Sequence, residues 1–219
     1  MFYEQLIAAT APERAALYAA PAIQAALAGR VSRDLYLAFL GQAYHHVRHT
    51  TPLLMALGSR LPERVDWLVR PVAEYIEEEV GHELWILDDI AAAGGDREAA
   101  RRAPPALATE VMVAYAYDLV NRRNPVGFFG MVFVLEGTSV ALALNAADRI
   151  QAALGLPDQA FSYLRSHGTL DQSHTRHLAD LLERLSAEDQ AEVLRAAQVF
   201  FKLYGDIFRS LPVDGEGTA

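Results

Sequence analysis

Three side chains that can bind metal follow one another at helical spacing between His167 and His174. Asp171 and His174 lie four and seven residues after His167. At about 100° per residue, these offsets place Asp171 about 40° and His174 about 20° from the direction of His167 on a helix. The three side chains therefore share one face and could converge on a metal ion. A solvated polar stripe is the alternative, but the neighbouring Leu164 and Leu178 indicate that this face points inward.

A second group of metal-binding side chains lies in the acidic segment Glu77 to Trp85. Glu79 precedes His82 by three residues and Glu78 precedes it by four. On a helix, either carboxylate would therefore lie on the same face as the imidazole. A Glu-x-x-His pair presents both ligand types to iron in helical bundle cores. Runs of acidic residues commonly form solvated helix faces, so this pair alone would not indicate a metal site. It becomes a candidate because two other clusters of metal-binding residues occur in the same chain.

Glu136 is the one ionisable residue in the apolar segment Val126 to Leu144. A helix that is apolar around its whole circumference is buried on nearly every side. A carboxylate placed there requires a counter-charge, which a metal ion or an arginine of another helix could provide. Glu136 is therefore either a metal ligand or one half of a buried salt bridge.

Taken together, the three segments offer three imidazoles and three carboxylates. The chain has no cysteine, so any metal must be held by nitrogen and oxygen. Such a donor set suits iron, with manganese as the alternative, whereas a structural zinc site would favour cysteine. We expect two metal ions, with Glu136 as a bridging candidate. The six predicted ligands are Glu79, His82, Glu136, His167, Asp171 and His174.

The elements that must position these residues are all helical. Helix formers dominate the composition, sustained strand alternation is absent, and Pro or Gly residues divide the chain into seven or eight helices. We expect one domain over residues 1–211 and a flexible tail over 212–219. The predicted spans are 3–28 with an irregular middle, 32–59, 63–93, 105–123, 125–154, 157–184 and 187–210.

Composition excludes several function classes. The formal net charge is −9 and Lys202 is the only lysine, which opposes binding to nucleic acid. No apolar run reaches the roughly 18 to 20 residues needed to cross a bilayer, and no signal-like segment opens the chain, so we expect a cytoplasmic protein with no membrane partner. The 52% hydrophobic content allows a sizeable core.

The ligand pattern resembles that of the heme-oxygenase-like diiron oxidases and oxygenases. Their superfamily includes heme oxygenases, TenA proteins and PQQ-synthase-like (PqqC-like) oxidases, and the resemblance covers roughly residues 20 to 210. It implies a heme-oxygenase-like bundle, a homodimer, and two iron ions per chain that are readily lost on purification. Some members carry the first carboxylate seven residues before the histidine, but Tyr75 stands there in this chain, so Glu79 is favoured and Glu78 is the alternative.

The resemblance also implies chemistry and a pocket. The chain is predicted to be a non-heme diiron oxidase or oxygenase that uses O2 to oxidise a small organic substrate. His45 and His49 share a face of the predicted second helix and are candidates for the substrate pocket, with a structural or surface role as the alternative. Aromatic walls are expected from Phe129, Phe133 and Tyr163, together with Phe128 and Trp85.

Three related activities each lack a residue that they require. Heme binding lacks an N-terminal histidine ligand before His45, TenA-type hydrolysis lacks its cysteine nucleophile, and p-aminobenzoate formation lacks a lysine near Ala146. A metal-free PQQ-synthase-like oxidase could instead use His45, His49, His167 and His174. The third hypothesis is a non-catalytic helical binding protein whose internal charges are merely paired.

Overall fold

The computed structural model describes the backbone of residues 1–213 and the side chains of residues 1–168 and 175–213. Within these residues the secondary structure is helical throughout, as predicted. Twelve α-helices are joined by short turns and three 3₁₀ segments. The α-helices are α1 (Phe2–Ala9), α2 (Ala11–Tyr18), α3 (Pro21–Leu27), α4 (Arg33–Val47), α5 (Thr50–Arg60), α6 (Val69–Glu79), α7 (His82–Ala92), α8 (Arg97–Arg102), α9 (Leu107–Arg122), α10 (Phe128–Leu154), α11 (Ser162–Glu183) and α12 (Ala187–Arg209).

Two helices that we predicted as continuous are broken. The span 32–59 divides into α4 and α5 just before Pro52, whose ring and missing N–H oppose a continuous helix. The span 63–93 begins with a 3₁₀ segment and then divides into α6 and α7 at Gly81. A short helix, α8, was not predicted. The Asp96 carboxylate caps it by accepting hydrogen bonds of 2.9 Å from the N–H groups of Glu98 and Ala99.

Helix α10 is the central element and packs mainly against α11 and α12, with α3 on a further side. Gly130 allows the closest approach to α12, since a Cβ there would lie 2.6 Å from the Val193 carbonyl oxygen. The other packed pairs that matter for the site are α4 with α7 and α7 with α11. The central position of α10 brings residues from distant parts of the chain around its middle turns.

The expectation that no segment is long and apolar enough to cross a bilayer is wrong for Pro125–Leu154. Among the parts of the chain that the structure describes, this one stretch has the length and the composition of a membrane-spanning helix. However, 61% of its most apolar window is buried inside the protein. Its apolar surface is thus largely covered by neighbouring helices, as in the core helix of a bundle.

Candidate metal centre

A turn between α6 and α7 positions the first two candidate ligands. Val80 is extended with ψ of 119°, and Gly81 adopts the left-handed conformation with φ of 92°. Glycine is the residue that adopts such a φ without a steric penalty. Glu79 therefore ends α6 and His82 begins α7, so the two residues face each other across a turn. The prediction that they share one continuous helix is wrong.

Glu79, His82 and His167 form the candidate metal cluster of the described side chains. One ligand atom from each residue lies within 4.8 Å of the others. The side chains of Glu79 and His82 are 11% and 5% exposed, and Glu79 Oε2 lies 3.2 Å from His82 Nδ1. The ring of His82 meets that of His167 edge to face, with 4.9 Å between centroids. The structure thus brings together three of the six predicted ligands.

Aromatic and backbone contacts orient the two imidazoles. The Trp85 ring stacks on His82 with a centroid distance of 4.0 Å, one turn further along α7. His167 Nδ1 lies 3.1 Å from the carbonyl oxygen of Tyr163. Because a carbonyl only accepts, His167 Nδ1 carries the proton, and its Nε2 is left as the metal-binding atom.

The buried carboxylate of Asp89 joins the helix of His82 to the helix of His167. Asp89 Oδ1 accepts hydrogen bonds from the backbone N–H of Ser162, at 3.0 Å, and from its hydroxyl. Asp89 Oδ2 accepts one of 2.9 Å from the backbone N–H of Tyr163. These bonds satisfy N–H groups at the start of α11 that have no partner within the helix. Burial raises the pKa of Asp89, and the hydrogen bonds from Ser162 and Tyr163 oppose that rise.

A cavity of about 620 Å³, which includes space open to solvent, adjoins the cluster. Glu79, His167 and Glu136 all line it. Glu136 is 7% exposed, as predicted from its apolar helix. Tyr75 lines the same cavity; burial raises the pKa of its hydroxyl, and the nearby Glu136 carboxylate raises it further. Glu136 therefore faces the space that the cluster faces, although it is not one of the three clustered residues.

His46 is a cavity residue that the sequence interpretation missed. It is 3% exposed, its Nδ1 has no hydrogen-bond partner in the part of the chain described, and its ring lies edge-on to Tyr204. Burial lowers the pKa of His46 to about 3, and the neighbouring His167, His49 and His45 lower it further. His46 is consequently a neutral imidazole at neutral pH.

A second, apolar cavity of about 760 Å³ lies on the other side of His167. Its walls come from α3, α4, α10, α11 and α12, and no Asp, Glu, Lys or Arg occurs among the described residues that line it. The two cavities share four lining residues: Ser139, Tyr163, His167 and Tyr204. His167 therefore stands in the partition between a polar and an apolar space.

The remaining predicted site residues have different outcomes. The side chains of Asp171 and His174 lie outside the described residues. Tyr163 lines both cavities, as expected for a pocket wall. Phe129 and Phe133 instead pack into the main core, where Phe133 makes edge-to-face contacts with other aromatic rings.

His45 and His49 are not at this cavity either. They line a separate pocket together with Arg48, and the intervening His46 is the histidine of this segment that lines the cavity beside the candidate metal cluster. The spacing correctly grouped His45 with His49, which line one pocket, but α4 ends at Val47 and His49 precedes α5. It could not show that this pocket lies away from the candidate ligands.

The residues present fit a metal ion. Two imidazoles and a carboxylate form a donor set suited to iron or manganese. His82 Nδ1 is buried and forms no hydrogen bond with any residue that the structure describes. Glu79 Oε2 lies 3.2 Å from it, but not in the direction that a hydrogen bond requires. A buried polar atom without a partner is unfavourable, and coordination of an ion would satisfy it.

Comparison with known proteins decides the family. A family model described as iron-containing redox enzyme matches residues 37–205. The chain belongs to this iron-containing redox enzyme family. The matched segment includes all three clustered residues, Glu136 and His46. A search of curated proteins gave no significant match.

Solved structures agree on the fold of this family member. A domain of unknown function with a heme oxygenase-like fold from Shewanella denitrificans is 27% identical, with a TM-score of 0.82 and coverage of 94% of this chain and 88% of that one. A TenA homologue from Pseudomonas syringae is 13% identical, with a TM-score of 0.78 and coverage of 95% and 91%. Heme oxygenase from Leptospira interrogans is 16% identical, with a TM-score of 0.70 and coverage of 96% and 99%. The predicted heme-oxygenase-like fold is confirmed.

Proposed function

We propose that this family member is a non-heme iron oxidase or oxygenase that uses O2 to oxidise a small organic substrate. The observation that carries the proposal is the convergence of Glu79, His82 and His167 within 4.8 Å beside a cavity. The two imidazoles and the carboxylate match the chemistry of non-heme iron ligands, and the family description, iron-containing redox enzyme, is consistent with them.

Two iron ions per chain remain our proposed content, with manganese as an alternative. Glu136, Asp171 and His174 would complete the ligand set that the sequence predicted. Support for Glu136 is its burial and its position on the cavity of Glu79 and His167. Bound ferrous iron would supply the electrons for the first reduction of O2.

The protein's own residues would bind the substrate and handle protons. The apolar cavity beyond Tyr163 and His167 would receive the apolar part of the substrate and exclude water from it. Neutral His46 on the polar cavity could accept a hydrogen bond at Nδ1 from a substrate group. Tyr163 holds His167 in one tautomer through its carbonyl oxygen.

Anaerobic reconstitution with Fe(II) tests the proposal. We expect the chelator-treated protein to bind iron in at least stoichiometric amount and to change its absorbance on exposure to O2. His167→Ala should abolish both effects and keep the helical circular dichroism signal. His177→Ala is the matched control, because His177 is an exposed histidine on the same helix.

The outcomes separate the alternatives. O2-dependent substrate oxidation that persists in the iron-free protein would support the metal-free PQQ-synthase-like oxidase instead. Absence of both iron binding and substrate oxidation would leave a non-catalytic binding protein. Oxygen consumption during a metabolite screen would identify the substrate. The cytoplasmic location and the homodimer stay predictions, to be checked by fractionation and by mass measurement in solution.

A further inference from the structure

A pocket of about 600 Å³, which includes space open to solvent, lies apart from the candidate metal centre and shares no lining residue with the two cavities there. Three segments form it: the C-terminal end of α4, the end of α8 with the loop that follows, and the first turns of α9. The lining residues are His45, Arg48, His49, Arg101, Arg102, Ala103, Pro105, Thr109, Glu110 and Val113.

The pocket concentrates positive charge in an acidic protein. The chain has nine more acidic than basic residues, yet three guanidinium groups and one carboxylate line this pocket. Arg48 and Arg102 form no ion pair within the described part of the chain, and Arg101 only reaches Glu98 at 4.0 Å. Most of the guanidinium donors in the pocket are therefore available to a ligand.

Two histidines extend this donor set. His45 is 6% exposed and has no hydrogen bond to any residue that the structure describes, although it is buried and polar. His49 Nδ1 lies 3.1 Å from the Tyr117 hydroxyl, which leaves its other ring nitrogen available. Burial lowers the pKa of both histidines, and the charge of Arg48 lowers it further. A bound anion would offset the positive potential that these groups share.

We propose that this pocket binds a small organic molecule that carries a phosphate group. Guanidinium groups bind phosphate oxygens through paired N–H donors, and several cationic groups around one site favour a dianion. The pocket extends beyond the guanidinium groups, where Pro105 and Val113 supply apolar contact for an organic part. The proposal uses no residue of the metal centre and does not depend on the proposed oxidase activity.

Calorimetry on the metal-free protein tests the proposal, with phenyl phosphate as the probe at fixed ionic strength. We expect one probe per chain and weaker binding of inorganic phosphate. Arg48→Gln and Arg102→Gln should each raise the Kd about tenfold or more, since each removes a charge-assisted contact. Arg122→Gln should bind as the unaltered protein does, because Arg122 is an exposed arginine of α9 that pairs with Asp118 outside the pocket.

Three results would overturn the proposal. They are the absence of phenyl phosphate binding, an unchanged Kd in both Arg48→Gln and Arg102→Gln, and equally tight binding of benzoate, which would assign the pocket to carboxylates. Circular dichroism of each variant confirms folding; because both arginines are exposed, their replacement leaves the core intact.

Discussion

Asp89 Oδ2 accepts a hydrogen bond of 2.9 Å from the backbone N–H of Tyr163, and this bond links the helix of His82 to the helix of His167. Tyr163 in turn places its carbonyl oxygen 3.1 Å from His167 Nδ1. The candidate metal centre is therefore held by a chain of contacts that runs from α7 through the first turn of α11. Asp89 lies outside the ligand set and acts as a positioning residue.

Replacing Asp89 by Asn should destabilise the protein and weaken metal binding. An amide oxygen can replace only one carboxylate oxygen, and the NH2 group would face an N–H donor of α11. We expect a loss of about 2 kcal/mol in the free energy of unfolding. Thermal unfolding and metal titration would measure both effects. Asp88→Asn is the control, since Asp88 is exposed and pairs with Arg97; an equal loss in both variants would contradict the positioning role.

Glu79 rather than Glu78 should be the first carboxylate ligand. Glu79 belongs to the described metal cluster, whereas Glu78 is an exposed residue one position earlier on α6. Glu79→Gln should lose Fe(II) binding, and Glu78→Gln should retain it. Iron content after anaerobic reconstitution and desalting checks this difference. Loss of iron only in Glu78→Gln would reverse the assignment.

Gly81→Ala should strain the turn between Glu79 and His82. The residue has φ of 92°, and a Cβ there would contact nothing within 4 Å, so the penalty arises from the backbone alone. We expect a loss of about 1 kcal/mol in stability together with weaker metal binding. The comparison is Gly137→Ala in α10, where a Cβ also meets nothing and alanine should stabilise the helix by about 1 kcal/mol. Similar changes in both variants would exclude a conformational role for Gly81.

The pKa of His46 predicts a pH dependence of stability. The imidazole of the unfolded chain binds a proton below about pH 6.5. In the folded protein, burial lowers the pKa of His46 to about 3, so the proton binds only near that pH. The contribution of His46 is therefore complete above pH 6.5 and is lost as the pH falls from 6.5 towards 3. Urea unfolding at pH 7.5 and 5.0 in the presence of chelator should show a smaller pH effect in His46→Gln, by up to about 1.4 kcal/mol per pH unit. His177→Gln should behave as the unaltered protein, and parallel pH curves for all three would contradict the prediction.

The sequence predicted the helical fold well because apolar and helix-forming residues are periodic over long spans. It failed where one residue decides the local backbone. Gly81 and Pro52 each interrupt a pattern that otherwise continues, and both are signals that could have located the breaks. The predicted pairing of Glu79 with His82 survived, because the turn brings the two side chains together in another way.

The choice of histidine on α4 could not be made from spacing. His45 and His46 of α4, and His49 just after it, are all compatible with a buried face, since this segment is packed on more than one side. Which face meets α10 and α11 depends on the rotation of α4, which is set by packing across the whole bundle. Likewise, Phe129 and Phe133 are as apolar as the residues that line the cavity, so composition does not distinguish a wall from the core.

The three candidate ligands come from two distant parts of the chain, since His167 follows Glu79 and His82 by more than eighty residues. The donor atoms of these two parts come together only in the folded protein. An ion that binds the folded cluster more tightly than it binds the unfolded chain therefore shifts the equilibrium towards the folded state. At a free metal concentration one hundred times the Kd, this linkage adds about 2.7 kcal/mol to the folded state. Metal supply in the cell would thereby help to set how much of the chain is folded and how long it persists.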